Sequence, residues 1–178
     1  DVSGGRRGEA GHGHGGLLSL PLFHMAALLS ISRGTGEQGR GDMVDDWLGR
    51  AAPDLDAIES LARATLAELP APFSGPAQGV VLRIADFAPD EILEDMDIEN
   101  PFELTGLYDG TPMTEKSVMD TFDRPDTIWL FRRPILDEWA ERGDVTLGQL
   151  VAHVLVHELA HHFGWTDDEI AEIDRWWE

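Results

Sequence analysis

Four of the seven histidines in this 178-residue chain, His153, His157, His161 and His162, fall within ten consecutive positions. His157-Glu158-Leu159-Ala160-His161 has the spacing HExxH. On a helix, residues i and i+4 share a face about 6 Å apart, so two imidazoles so spaced reach one ion at about 2.0–2.1 Å. Glu158 projects beside them, where it can take a proton from water that the ion has activated, the general-base step of metal-assisted hydrolysis. Five letters also recur by chance on a polar helix face. Here the opposite face is apolar through Leu150, Val151, Val154, Leu155 and Phe163, and a third ligand is within reach, so the metal reading is preferred.

Catalytic zinc takes three protein ligands and leaves a position open. The pattern continues as His161-x-x-Gly164-x-x-Asp167, and Gly164 breaks the helix so that the chain doubles back and brings Asp167 towards the ion. Metzincins carry His at that last place, and here no Met follows Met119 to form their Met-turn. A gluzincin-type Glu from a later helix would have to be Glu172 among the 17 residues after His161. Asp167 is preferred over Glu172. Its alternatives are a first-turn acid that only meets the helix dipole, or an exchange of roles with Asp168. His153 and His161 lie about 12 Å apart along the axis, so one ion cannot bind both, and His153 is expected to line the cleft. His162 points away from the metal face; its expected partner is an acid of the last helix, such as Asp174.

These side chains need a framework. Thr146-Leu147-Gly148-Gln149 forms a capping box that opens the motif helix over 147–163, with Gly164 as its left-handed cap. A second box, Thr166 to Glu169, opens a last helix through Trp177. Upstream, apolar spacing predicts a helix from Asp54 to Leu69 and another from Pro134 to Arg142. Val80 to Ile84, Leu104 to Tyr108 and Thr127 to Phe131 read as strands of a small sheet. The acidic stretch from Asp90 to Glu99 reads as a short solvated helix or loop without assigned chemistry. Arg132 and Arg133 read as solvated charge, with a substrate carboxylate as the alternative.

Composition limits the function. Residues 1–42 hold 11 of the 19 glycines and equal numbers of acidic and basic groups, so the whole net charge of −21 lies in 43–178. Such a surface opposes nucleic acid and anionic membranes as partners. With no cysteine, thiolate metal sites, Fe–S clusters and a Cys nucleophile are excluded, and a reducing, cytoplasmic compartment fits. Leu17 to Ser32 is an apolar run behind Arg6-Arg7, the arrangement of a secretory or twin-arginine signal. Yet Gly8-Glu9 follow the arginines, no small-x-small site closes the run, and it is short of the ~20 residues that span a bilayer. The expectation is a disordered or non-native leader over 1–42, with Met43 a natural start, and one domain over 43–178.

Taken together, Leu66 to Pro70, Leu104-Thr105-Gly106-Leu107-Tyr108-Asp109-Gly110-Thr111-Pro112, Ile128 to Ile135 and His157 to Gly164 resemble the short bacterial zincin-like metallopeptidases that carry HExxHxxGxxD. The resemblance covers roughly Ala57 to Ile173, with the leader and the acidic insert around Asp90 to Asn100 as departures. It implies an α+β zincin-like fold, a small sheet packed on the motif helix with flanking helices and an edge strand bordering the cleft. It also implies Zn2+ at His157, His161 and Asp167, with Glu158 as base acting on a peptide or protein substrate. Tyr108, the only tyrosine, sits in the resembling Gly-Leu-Tyr-x-Gly stretch. It would either donate a hydrogen bond to the oxyanion or pack as a strand-end aromatic. The competing function is a metal- or peptide-binding module that keeps the frame without turnover.

Overall fold

A computed structural model describes residues 50–116 and 124–173 of the chain. The expected leader, Asp174 and the end of the last helix lie outside the described residues. Along the chain come α1 (Leu55–Glu68), α2 (Ser74–Ala77), β1 (Val81–Ala85), α3 (Asp90–Asp95), a 3-10 turn (Pro101–Glu103), β2 (Gly106–Asp109), β3 (Thr127–Phe131), α4 (Arg132–Arg142), α5 (Leu147–His162) and α6 (Asp167–Ile173).

The three strands form one sheet in the order β1-β3-β2, with β1 parallel and β2 antiparallel to β3. β3 is the central strand, and Ile128, Leu130 and Phe131 are buried, as a strand covered on both faces requires. β2 is the edge strand, and Gly106 pairs with Leu130 and Tyr108 with Ile128. Both outer strands begin later than the sequence suggests. β1 is displaced by one residue, and β2 starts at Gly106 because its ladder with β3 begins there rather than at Leu104.

α1 starts at the Asp54 cap, whose carboxylate accepts from the Ala57 N–H at 2.9 Å, and buries Ile58, Ala62 and Thr65. α4 follows β3 without a loop. Pro134 therefore stands in its first turn, where no N–H is needed, and Gly143 ends the helix at φ 69°. Arg132 is not solvated: its guanidinium donates to Asp86 Oδ1 at 2.6 Å and to the Pro53 carbonyl at 3.0 Å, which ties α4 to the chain before α1 and to the turn after β1. That correction also removes it as a ligand for a substrate carboxylate.

α5 lies against α1, α4, β2 and β3. Leu150, Val151, Leu155, Val156 and Leu159 are wholly buried along it, so packing on several sides, more than helix propensity, fixes its position. The fold is thus α+β, with the histidine-bearing helix held on the sheet. No helix among the described residues is long and apolar enough to cross a membrane.

Candidate metal centre

The C-terminal end of α5 sets the site. Trp165 N–H returns to the Ala160 carbonyl at 3.0 Å and Gly164 N–H to the His161 carbonyl at 2.9 Å, around Gly164 at φ 94°. This is a Schellman closure, and it reverses the chain. Thr166 then starts α6 with a reciprocal cap: its N–H donates to Glu169 Oε2 at 2.9 Å and its Oγ1 accepts from the Glu169 N–H at 3.4 Å. Asp167, the first residue of α6, is thereby carried back to the histidines.

His157 Nε2 and His161 Nε2 are 3.2 Å apart, and Asp167 Oδ1 lies 3.4 Å from the former and 3.2 Å from the latter. Among the described residues these three form the one group of His, Asp or Glu side chains close enough to hold a metal ion. Three ligands bound tetrahedrally at about 2.0–2.1 Å stand about 3.3–3.4 Å from one another, so the triangle has the dimensions of a zinc site. The chemistry of the donors agrees. His161 Nδ1 donates to the Trp165 carbonyl at 3.0 Å, which leaves Nε2 as a bare lone pair aimed at His157. Two nitrogens so juxtaposed are stable only with a proton or a cation between them. Burial, with help from His161 and His153, lowers the His157 pKa against the pull of Asp167, so a proton is the weaker candidate. Asp168 and Glu172 are exposed on α6 and outside this triangle.

Glu158 is buried beside the triangle. Burial raises its pKa to about 8; the Tyr108 main-chain N–H acts in the opposite direction, and Asp167 adds a further rise. Both groups line a cavity of about 400 Å³ that also includes Met96, Leu104, Gly106, Tyr108 and Pro112. A smaller cavity of about 260 Å³ shares Leu104, Gly106, His157 and Glu158 with it and is lined as well by Glu103, Glu138 and His153. His153 thus lines the cleft and stays off the triangle, its ring 6.5 Å from that of His157.

Tyr108 borders the larger cavity, but its hydroxyl donates to the Thr111 carbonyl at 2.9 Å and lies 3.3 Å from His162 Nδ1. Its ring meets that of His162 edge-on at 5.6 Å. Burial and then Asp126 raise its pKa, so it stays a neutral phenol. The hydroxyl thus makes the contacts of a strand-end aromatic, at the border of the cavity that holds the triangle. His162 meets an acid of another segment: Nδ1 lies 3.4 Å from Asp126 Oδ2, and Lys116 pairs with the same carboxylate, while Asp174, the partner expected on the last helix, lies outside the described residues. One residue past His161, the helix has turned His162 by about 100° toward the segment that precedes β3.

Sequence reasoning missed Asp126, Gly106 and Met96. A single Gly in a strand pattern is a recognisable sign of close backbone approach, and Gly106 carried it. Asp126 carries no local sign of its approach to His162, 36 positions further on, and Met96 none of its place in a cavity whose metal-ligand candidates begin at His157. Residues 77–177 match the sequence model of the family described as zincin-like metallopeptidase. No curated protein matches the chain.

Proposed function

Because the chain belongs to the zincin-like metallopeptidase family, we propose that it is a zinc-dependent peptidase whose metal is held by His157, His161 and Asp167 and whose general base is Glu158. The observation that carries the proposal is the 3.2–3.4 Å triangle of donor atoms with a buried acid beside it. When bound, zinc supplies Lewis acidity, lowering the pKa of water and polarising a carbonyl oxygen.

The protein's own groups do the rest. Trp165 holds the His161 tautomer through Nδ1, and the Schellman turn at Gly164 keeps Asp167 facing both imidazoles. Glu158 accepts the proton of the attacking water and returns it to the leaving amine. Its apolar surroundings make the carboxylate a stronger base than an exposed one, and the Tyr108 N–H holds its orientation. Tyr108 is then a positioning residue through its main chain, its phenol fastening β2 to His162. A non-catalytic module would gain nothing from burying an acid next to its ligands, so the geometry favours the enzyme. We assign the activity to residues 43–178, with 1–42 dispensable.

Metal analysis of the purified protein combined with a broad peptide-library digestion tests this reading. Stoichiometric zinc and cleavage that Glu158→Gln abolishes without loss of zinc are expected. Zinc retained at full occupancy in both His157→Ala and His161→Ala would remove the site.

A further inference from the structure

Six of the eleven residues from Asp90 to Asn100 are acidic, and Met96 stands among them. Ile92, Leu93 and Ile98 of this segment are half-buried, whereas Met96 is 44% exposed. Among the described residues the other exposed large hydrophobics are Leu55, Val81 and Phe102. Phe102 leans edge-on against Phe87, with ring centres 5.0 Å apart. Of the four, Met96 alone lines the cavity that contains the His157, His161 and Asp167 triangle.

Its place is fixed by a built turn. Ile98 N–H returns to the Leu93 carbonyl at 2.9 Å around Asp97, which adopts φ 55°, the left-handed conformation that usually calls for glycine. Met96, the cap residue of α3, is therefore carried by a hydrogen-bonded turn. The same cavity is lined by Leu104, eight residues further along the chain, and by Pro112, beyond β2. An unbranched thioether side chain adapts to ligands of different shape, which suits a wall that closes on a substrate group. The volume of about 400 Å³ is in the range of small-molecule sites and admits a leucine- or phenylalanine-sized group.

We infer that Met96 is a specificity-determining residue: with Leu104 and Pro112 it walls an apolar subsite continuous with the metal centre, and the peptides taken there carry a large uncharged side chain beside the bond cleaved. The inference rests on the zinc-peptidase reading above and gives its substrate a chemical class. The insert around Asp90 to Asn100, which departs from the resembling sequences, thereby acquires a function. A carboxylate-bearing side chain is disfavoured twice, by the apolar wall and by the exposed acids Asp95 and Asp97 on either side of Met96 in the chain.

The test is isothermal titration of the zinc-loaded full chain with three hydroxamates, which chelate zinc and need no turnover: those of acetic acid, 4-methylpentanoic acid and succinic acid. The 4-methylpentanoic compound is expected to bind at least about tenfold tighter than the acetic one, and the succinic compound no tighter than it. In Met96→Ala the tenfold ratio shrinks, in Met96→Asp it falls to about one, and Leu104→Ala shrinks it independently. Leu55→Ala, equally exposed but away from the cavity, leaves the ratio as it was. With methyl-labelled methionine, the Met96 signal shifts on binding the 4-methylpentanoic compound and stays in place with the acetic one. A wild-type ratio near one, or a ratio that survives Met96→Asp and Leu104→Ala, overturns the subsite while leaving the metal centre standing. Failure of acetohydroxamate itself to bind overturns the metal reading and the inference with it.

Discussion

A Cβ on Gly106 would stand 2.8 Å from Glu158 Oε1 and 2.7 Å from Val154 Cγ1, so the edge strand passes over α5 with room for a hydrogen atom and nothing larger. That approach joins the sheet to the base. It brings the main chain of β2 against the helix surface where Glu158 and Val154 stand one turn apart, and it lets the Tyr108 N–H, two residues on, reach the Glu158 carboxylate.

Gly106→Ala should therefore act on stability and on the site together. Val154 is β-branched and buried, and Glu158 is enclosed, so neither gives way readily and β2 has to lift from α5. Overpacking of this kind costs about 1–3 kcal/mol. Thermal unfolding of the metal-free protein should register a clear fall in midpoint, with peptide cleavage falling further than stability does. An unchanged midpoint would show that the strand and helix are not pressed together as described.

Asp167 is expected to matter for the metal and hardly at all for the fold. Its side chain is 83% exposed, and its described partners are the two imidazoles. Asp167→Ala should weaken zinc affinity strongly while the metal-free unfolding free energy stays within about 1 kcal/mol of the wild type, the scale of a first-turn carboxylate on a helix dipole. Asp167→Asn should do the same with the shape retained. Glu172→Gln should leave zinc titration unchanged; zinc lost in Glu172→Gln and kept in Asp167→Ala would mean gluzincin-type ligation.

Most of the site was readable before the fold because HExxHxxGxxD is local. Its i, i+4 pair, its helix-ending glycine and its next cap all lie within eleven residues, and each follows from helix geometry. The strand edges and the surroundings of His162 were less legible. β2 gains its boundaries from Leu130 and Thr127, its partners across the sheet, and His162 gains its carboxylate from Asp126, 36 positions earlier. Local propensity carries no record of such pairings. Arg132 went the same way, since its guanidinium is placed by a carbonyl 79 residues away.

Tyr108→Phe separates a positioning phenol from an oxyanion donor. The substitution removes the donor to the Thr111 carbonyl and the neighbour of His162 Nδ1. The expected result is a stability loss of about 1 kcal/mol with zinc content unaffected and turnover reduced only slightly. An oxyanion donor would behave in the opposite way, with kcat falling by about 10²–10³ and the midpoint unmoved. Calorimetry and single-substrate kinetics on the same preparation decide between them.

Glu158 makes the stability of the metal-free protein depend on pH in a definite direction. Burial holds its carboxyl protonated up to about 8, against a value of 4.5 for the unperturbed group. Between those limits the unfolded chain has released a proton that the folded chain still holds, so stability falls as pH rises from about 4.5 through about 8, by an amount on the order of a few kcal/mol. His157 and His162, whose pKa values burial lowers, act in the reverse sense below about 6.5. The difference between wild type and Glu158→Gln isolates the carboxyl, because both proteins keep the histidines. Denaturant unfolding in chelator at pH 5, 6.5 and 8.5 should show the stability of Glu158→Gln relative to wild type rising across the series. Zinc should flatten the difference, since a cation beside the carboxylate favours its charged form. Parallel curves for the two metal-free proteins would mean that Glu158 titrates as an ordinary exposed acid and is not the enclosed base described.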